Sequence, residues 1–396
     1  MFRTPTLRRV APLLSVLAVA TACSKDDDQS ATPETGTFEK TVLLPADFLR
    51  FADVAELTDG SVFVLASTSA ATASAPLAEK PAGIRLSASG DTLWTRRYTF
   101  GSFDPIYGAG ISYSCLPTSD GNVVFSAMTP RTGGAFEPRL TKLNAATGAV
   151  LWTLALPDEV YTTICKLAPT AGGGILFVDT DMNNPQSFRL HTITAAGTLV
   201  SSVTVPHGFA SDIRPTADGN FIVASVLAPF VQQPVLTKLT PQGSVLWSRT
   251  LPTTGFGLTN SVVQTPDGGY ALASGNAYAY NGTNNTLRLL KADANGQQQF
   301  VYSYSDILGY ANRLGLSNGK LILVGASTTS TPTGDTPHPL ALRLNASSGS
   351  EELRQARPQV NGYVASFTTT QDGKLLLCSG EAGKLVLRKT NADLTD

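Results

Sequence analysis

Residues that could do chemistry are sparse in this chain. Its three histidines, His191, His207 and His338, are too scattered for the ligand spacing of a zinc site. The sequence also lacks a His-Glu-x-x-His motif, a phosphate-binding loop and a Gly-x-Ser-x-Gly motif. The sequence therefore predicts no metal, no cofactor and no catalytic residue. A glycosidase-type carboxylate pair stays open, because it needs proximity in space and not in sequence.

Seven polar residues recur at regular intervals instead. They are Asp53, Ser114, Lys166, Asp212, Ser261, Asn312 and Ser366. Each lies six residues before a turn, at Asp59, Asp120, Gly172, Asp218, Asp267, Asn318 and Asp372, and the turns are 61, 53, 46, 49, 51 and 54 residues apart. The flanking segments resemble "VVQTPDGGYALASG" (262–275) and predict hairpins. Asp-Gly and Asn-Gly suit tight turns in which both central residues have positive φ.

A second hairpin follows each first one, as in "TKLNAATGAVLW" and "TKLTPQGSVLW". Each unit then holds four short strands in about 50 residues, the period of a β-propeller blade. The predicted fold is all-β, a seven-bladed β-propeller of four-stranded antiparallel blades. It forms a single domain over residues 37–396.

The seventh unit has no fourth strand of its own, because the sequence ends soon after "LVLRKTNADLTD". The segment "GTFEKTVLLPAD" (36–47) matches "GSVLWSRTLPTT" (243–254) from an outer strand. We therefore expect residues 37–44 to pair as the outer strand of the last blade and to close the ring. Closure leaves only short, protected sheet edges.

In this fold the seven polar residues are expected to line the mouth of the central tunnel, where they would bind a ligand or simply hydrate the channel. The loops on the same face carry aromatic side chains that could contact sugar rings or peptide side chains, or cover blade ends. These candidates are Tyr107, Phe256, Tyr278, Tyr280 and Tyr310.

Two further sets of residues recur with the blades. Trp94, Trp152, Trp247 and Phe300 follow the second hairpin turn and are interpreted as wedges between blades. Basic residues recur on the third strand and are interpreted as snorkelling over blade edges. They are Arg85, Lys142, Lys238, Lys291, Arg343 and Lys389.

The segment "LNAATGAVLW" (143–152) resembles the tryptophan-docking repeat of pyrroloquinoline-quinone-type propellers, and "SASGDTLW" and "TPQGSVLW" keep its Gly and Trp. The resemblance implies a propeller packed through tryptophans. The adjacent cysteines of many quinoproteins are missing and no residue matches their catalytic base, so no cofactor site carries over. The chain is also similar in length and anchoring to the propeller lipoprotein of outer-membrane β-barrel assembly, although that relative has eight blades and shorter repeats.

Residues 1–22 read as a signal peptide, with Arg3, Arg8 and Arg9 before a short apolar segment. The stretch Ala20-Thr21-Ala22-Cys23 resembles the lipobox of bacterial lipoproteins, which implies lipidation of Cys23. Residues 23–36 are polar and predict a disordered tether. Its "KDDD" resembles the export signal of Bacteroidetes-type surface lipoproteins. We expect an exported protein, lipid-anchored in the outer membrane and exposed at the cell surface, with the periplasmic leaflet as the alternative.

Removing residues 1–22 takes away three arginines and no acidic residue, which leaves 26 basic and 30 acidic residues. This balance gives no attraction for nucleic acid. Cys115, Cys165 and Cys378 are an odd set and are expected as buried free thiols, with a Cys115–Cys165 bridge as the alternative.

The sequence thus favours a monomeric, non-enzymatic binding or scaffolding module for a glycan or an envelope protein. The alternatives are a glycan-active lyase or hydrolase, a degenerate quinoprotein, and an outer-membrane assembly scaffold.

Overall fold

The computed structural model describes residues 36–42, 49–69, 79–99, 114–130, 136–156, 162–181, 184, 186–227, 233–253, 256–257, 259–274, 286–331 and 334–395. The expected signal peptide, Cys23 and nearly all of the tether lie outside them. All regular structure in these ranges is strand, which confirms the all-β prediction. Within the same ranges, no helix is long and apolar enough to cross a membrane.

Four-stranded antiparallel units repeat along the chain after a first strand, β1 (Phe38–Val42). Blade one contains β2 (Leu49–Glu56), β3 (Val62–Ser69), β4 (Glu79–Leu86) and β5 (Thr92–Arg97). Blade two contains β6 (Ser114–Pro117), β7 (Val123–Pro130), β8 (Phe136–Leu143) and β9 (Val150–Ala155). Blade three contains β10 (Thr162–Pro169), β11 (Ile175–Asp181), β12 (Phe188–Ile193) and β13 (Leu199–Val205). Blade four contains β14 (Phe209–Pro215), β15 (Phe221–Leu227), β16 (Gln233–Leu239) and β17 (Val245–Thr250).

Blades five and six share one long strand. Blade five contains β18 (Thr259–Gln264), β19 (Tyr270–Ser274), β20 (Thr286–Ala292) and the first part of β21 (Gln298–Ser317). Blade six contains the rest of β21 with β22 (Lys320–Thr331), β23 (Gly334–Leu344) and β24 (Glu351–Ala356). Strand β21 pairs with β20 as far as Leu308 and with β22 from Gly309 onward. Tyr310, expected on a loop, therefore lies on a strand.

The last blade contains β25 (Gly362–Thr369), β26 (Leu375–Glu381) and β27 (Lys384–Thr390), and its fourth strand is β1. Phe38 pairs with Lys389, and Val42 pairs with Leu385. This antiparallel pairing joins residues from opposite ends of the described chain. Of the expected closing strand, residues 43 and 44 lie outside the described ranges.

The core lies between blades. The described buried apolar residues fall into seven clusters, each drawn from two blades that are neighbours in the ring. Phe63 of blade one packs with Phe125 of blade two, for example. Another cluster joins Leu387 of blade seven to Val64 of blade one. Burial of apolar area between the first and last blades therefore supports the same closure as the pairing of β1.

Most first-hairpin turns differ from the expected type. Asn318 and Gly319 both have positive φ, of 48° and 74°, and form the expected two-residue turn. Elsewhere a three-residue loop replaces it: the Leu57 amide donates to the Ser61 carbonyl, and only Gly60 of that loop has positive φ. Asp59 instead accepts a hydrogen bond from the Ser61 amide at 3.0 Å. The prediction of positive φ at the turn aspartates is wrong, because their carboxylates cap the longer loop.

The tryptophans fill the space between blades, as expected. A Cβ on Gly197 of blade three would lie only 2.6 Å from Trp152 of blade two, and Gly296 stands in the same relation to Trp247. The Trp94 indole donates to the Ala145 carbonyl of the next blade at 3.0 Å. The glycine of these second hairpins thus makes room for the aromatic ring of the preceding blade. Gly243 of blade four faces Leu190 instead, since blade three has Ser201 at the tryptophan position.

Five of the six recurring basic residues pair with the turn aspartates of their own blades, and Arg343, whose blade has Asn318 at the turn, pairs with Glu352 instead. Lys142 bonds to Asp120 at 2.8 Å and Lys291 to Asp267 at 2.8 Å. Arg85, Lys238 and Lys389 make the same pair with Asp59, Asp218 and Asp372. The snorkelling interpretation is therefore incomplete, since each of these five cations ties the third strand to the first turn.

Candidate functional site at the centre of the ring

Seven inner-strand residues hold equivalent positions in the strand ladders. They pair as Asp53 with Leu65, Ser114 with Ser126, Lys166 with Val178, Asp212 with Ala224, Ser261 with Ala273, Arg313 with Val324 and Ser366 with Cys378. We call these seven residues, together with Arg214, the hub. Because inner strands surround the axis of a propeller, the hub residues face the same central space.

Blade six contributes Arg313 to the hub, and not the predicted Asn312. Its turn is one residue shorter than the three-residue loops of the other blades, so counting six residues back from Asn318 overshoots by one. Asn312 occupies a β-bulge and donates from its side-chain amide to the Val364 carbonyl at 2.9 Å. Arg313 and Arg214 are the hub residues that sequence reasoning missed.

Asp53 connects four blades. Its carboxylate accepts hydrogen bonds from the amide of Val54 at 3.0 Å, the amide of Cys115 at 2.9 Å, the hydroxyl of Ser366 at 2.6 Å and the guanidinium of Arg313 at 3.2 Å. Burial raises the pKa of Asp53, but nearby cations and donated hydrogen bonds outweigh it, so the pKa lies below its usual value. Asp53 is therefore an ionised, buried link between blades.

Asp212 repeats the same arrangement on the other side of the ring. Its carboxylate accepts hydrogen bonds from the amide of Ile213 at 3.0 Å, the amide of Val262 at 3.1 Å, the hydroxyl of Ser261 at 2.9 Å and Nε of Arg214 at 3.0 Å. The carboxylate thus holds blade five against blade four. The carboxylate oxygens of both hub aspartates are occupied by hydrogen bonds within the protein, which leaves few acceptor positions for a substrate.

Burial divides the hub into two groups. Asp53, Ser114, Asp212, Ser261 and Ser366 are all buried. The side chains of Arg313 and Arg214 keep about a quarter of their surface exposed, and Lys166 is also only partly buried. The carboxylates and hydroxyls therefore serve the packing of blades, and the three cations are the groups that reach open space.

The aromatic candidates do not come together in the described structure. Phe256 is buried in the cluster between blades four and five, so its predicted role as an exposed platform is wrong. Tyr310 lies on β21 and is partly exposed. Tyr107, Tyr278 and Tyr280 lie outside the described residues and remain predictions.

The described thiols are inert. Cys115 and Cys378 are free and buried, so Cys115 forms no bridge with Cys165, whose side chain lies outside the described residues. Burial raises the pKa of both thiols, and the Asp53 carboxylate raises it further. Neither is placed to act as a nucleophile.

Across the described ranges, no three His, Cys, Asp or Glu side chains are grouped to hold a metal ion.

A second surface feature lies at the outer edges of blades one to four. Beside the second hairpin turn, their outermost strands expose seven large apolar side chains, between 39% and 62% accessible, and β13 also exposes Val203 further along. We call this set the rim belt: Leu93, Val150, Leu151, Leu199, Val200, Val245 and Leu246. Strands β5, β9, β13 and β17 are also sheet edges, each paired on one side only. Apolar side chains on an unpaired edge favour association with another chain.

The rim belt stops after blade four. The residues that correspond to Leu93, Leu151 and Leu246 are Gln299 in blade five, Glu352 in blade six and Thr37 in blade seven. Strands β5, β9, β13 and β17 contain no acidic residue, whereas Arg96, Arg97 and Arg249 are exposed on them. The outer strands of blades one to four are therefore apolar and basic, whereas those of blades five to seven are polar beside the same turn and carry acidic residues, with Tyr302 and Leu308 exposed further along β21.

Comparison with known families identifies the repeat. The profile of a PQQ_2 family, described as outer membrane protein assembly factor BamB, matches residues 84–328, which is more than half of the chain. The chain belongs to this family.

The BamB-type match runs from the third strand of blade one into blade six. It includes every residue of the rim belt and six of the eight hub residues, while Asp53 and Ser366 lie outside it. No curated protein sequence matches the chain.

Two solved structures show the fold of this BamB-type chain. A structure of the Dos1 propeller has a TM-score of 0.52 at 11% identity, over 86% of this chain and 78% of that one. The extracellular domain of a putative hybrid two-component system from B. thetaiotaomicron has a TM-score of 0.53 at 11% identity. That match covers 90% of this chain, which spans only 40% of the larger protein. At this identity the likeness supports the propeller fold alone.

Proposed function

We propose that this protein is a non-enzymatic scaffolding module of the cell envelope that binds a protein partner along the rim belt. The observation that carries the proposal is the run of exposed apolar side chains beside the second hairpin turn on four successive edge strands, where blades five and six have Gln299 and Glu352 instead. Exposed contiguous apolar surface mostly marks association sites in soluble domains. Of the two partner classes that the sequence left open, this surface favours a protein over a glycan.

The chemistry of the rim belt specifies the kind of partner. An extended segment can add to an exposed sheet edge through main-chain hydrogen bonds. Val150 and Leu151 offer it apolar contact, and the exposed Arg96 and Arg249 offer positive charge. The partner segment is therefore extended, with apolar side chains next to acidic ones.

Support for an envelope location comes from the sequence and from the comparisons. The lipobox-like segment ending at Cys23 implies a lipid anchor, and the following "KDDD" supports the cell surface. The family description names an outer-membrane assembly factor, and one structural neighbour is an extracellular domain. Both are compatible with an exported protein held in the outer membrane.

Enzymatic function is less well supported by the hub geometry. Asp53 and Asp212, the charged acids among the predicted site residues, each accept four hydrogen bonds from main-chain and side-chain groups of the protein itself. A general acid or base needs a proton position open to substrate. Both the glycan-active and the quinoprotein-type alternatives therefore lack a candidate residue in the hub.

A second candidate function is scaffolding of outer-membrane protein assembly. The family description favours it, and an assembly machine is one source of the extended segment that the rim belt suits. This candidate differs from the first in the identity of the partner and not in the surface used.

Site-specific photocross-linking in the native host tests the rim-belt proposal. A photoreactive residue at Leu151 or Leu246 should cross-link to one defined protein, and one at Glu352, the matched edge position in blade six, should not. Replacing Leu246 with Asp should abolish the cross-link formed at Leu151, because one partner spans both blades. Equal cross-linking at Leu151 and Glu352, or no effect of Leu246→Asp, would contradict the proposal.

The anchor is tested separately by a Cys23→Ser variant. Loss of the variant from the membrane fraction, with the lipid mass absent from its N-terminal peptide, supports lipidation. A variant that fractionates like the native protein contradicts it, and leaves the rim-belt experiment unaffected.

A further inference from the structure

The hub holds more positive than negative charge. Among the described residues it contains three cations, Lys166, Arg214 and Arg313, and two carboxylates, Asp53 and Asp212. Each arginine is tied to one aspartate: Arg214 through Nε and Arg313 through Nη1. One positive charge at the centre of the ring is therefore left without a compensating carboxylate.

Lys166 is the cation without a direct partner. Within the described part of the chain, its ammonium makes no hydrogen bond and no ion pair. It occupies the hub position of blade three, next to Asp212 of blade four, yet the Asp212 carboxylate bonds to Ser261 and Arg214 instead. A partly buried ammonium with three unused donors is costly unless another acceptor reaches it.

The arginines also retain unused donors. Arg214 contributes only Nε to Asp212, and Arg313 contributes only Nη1 to Asp53. The described residues give the other guanidinium nitrogens of Arg214 and Arg313 no hydrogen bond. These nitrogens are also not among the buried polar atoms that lack a partner, so their N–H groups are exposed to solvent. A guanidinium has five N–H donors in a planar fork that matches oxyanions.

Electrostatics place these cations in one shared environment. Burial lowers the pKa of Lys166, the two hub carboxylates oppose this, and Arg313 and Arg214 lower it again. Burial likewise lowers the pKa of Arg313, and the next largest effect comes from the like charge of Arg214. Three cations that repel one another around a common space form a site that an anion would stabilise.

We propose that the hub binds one oxyanion group between Lys166, Arg214 and Arg313. The ligand is a sulfate, a phosphate or a carboxylate, either as a free ion or as the acidic group of a larger molecule. Asp53 and Asp212 hold the arginines in place and do not touch the ligand. This site is at the ring centre and is independent of the rim belt at the ring edge.

Isothermal titration calorimetry of the purified protein at constant ionic strength tests the proposal. Sodium sulfate should bind at one site per chain, while sodium chloride should not. A Lys166→Met variant should weaken sulfate binding about tenfold, the typical effect of one charge-assisted hydrogen bond. A Lys384→Met variant is the matched control, since it removes the same charge from an exposed position at the start of β27. It should bind like the native protein.

A uronic-acid oligosaccharide distinguishes the two sources of the anion. Tighter binding than sulfate assigns the site to the acidic group of a larger ligand, and binding of sulfate alone assigns it to a free ion. No saturable binding of either probe, or equal weakening by Lys166→Met and Lys384→Met, would overturn the proposal. Lys166→Gln provides the same comparison if circular dichroism shows the Met variant to be unfolded.

Discussion

The guanidinium of Arg313 lies 3.2 Å from the carboxylate of Asp53, although the two residues belong to blades that are not neighbours. Blade seven stands between them, and its Ser366 donates to the same carboxylate at 2.6 Å. Side chains of three consecutive blades therefore meet at one carboxylate. This contact makes the hub a structural device that joins blades one, two, six and seven, as well as a place where charge is concentrated.

Removal of the Asp53 carboxylate should destabilise the fold strongly. An Asp53→Ala variant leaves the buried amide of Cys115 and the charge of Arg313 without their acceptor, which costs about 3 kcal/mol. Ser114 holds the equivalent position in blade two without such contacts, so Ser114→Ala should cost less than about 0.5 kcal/mol. Urea unfolding of both variants checks this. Similar midpoints for the two would contradict the role given to Asp53.

Two glycines that share a positive φ should differ in their tolerance of alanine. Gly219 has a φ of +78° with nothing near its Cβ position, so Gly219→Ala costs only backbone strain, about 1 kcal/mol. Gly197 has a φ of +83°, and its Cβ would lie 2.6 Å from Trp152, which adds roughly 2 kcal/mol of overpacking. Thermal unfolding should therefore give the Gly197→Ala variant a clearly lower Tm than the Gly219→Ala variant. The opposite order would show that Trp152 does not fill the space between blades two and three.

The ion pair between Asp267 and Lys291 predicts a pH-dependent stability. Burial raises the pKa of Asp267, but hydrogen bonds from Lys291, Thr265 and the Gly269 amide lower it to about 2. Since the unfolded value is about 3.9, the ionised carboxylate stabilises the fold above about pH 4, and this contribution is lost as the pH falls towards 2. The Asp267 side chain is half exposed, so the contribution is only about 1 kcal/mol.

Unfolding of the native protein and an Asp267→Asn variant between pH 7 and pH 2 measures this contribution. The difference in unfolding free energy should be greatest above pH 4 and should vanish near pH 2. A difference that stays constant across this range would show that the Lys291 pair contributes nothing to the stability of blade five.

Local patterns predicted much of the fold. The Asp-Gly and Asn-Gly turns marked the hairpins because turn chemistry acts over a few residues, and the repeated Gly-to-Trp spacing correctly indicated wedges between blades. The sequence also contains a pattern that predicts the ion pairs between the third strand and the first turn. Blade three has Thr192 in place of the basic residue and Gly172 in place of the turn aspartate, so both partners are missing together.

The hub and the rim belt were harder to predict. Arg313 was not predicted as the hub residue of blade six because its position depends on the length of one turn. That turn is one residue shorter than the others, which only the pairing of β21 with β22 reveals. Phe256 was misread because its burial depends on residues of the next blade. Val150 and Leu151 look like core residues in sequence, and only the sheet order shows that their strand is an exposed edge.

The hub and the rim belt both require that the blades close into one ring through β1. Thr41 and Val386 are directly opposed in the pairing of β1 with β27, and opposed Cα atoms in an antiparallel pair are close enough for a disulfide. A Thr41→Cys/Val386→Cys variant should therefore form an intramolecular disulfide on mild oxidation, detected as a linked peptide pair by mass spectrometry. A Thr41→Cys/Thr250→Cys control, with its second cysteine on the outer strand of blade four, should stay reduced. Failure of the first pair to link in the folded protein, or equal linkage in both variants, would contradict the closed ring.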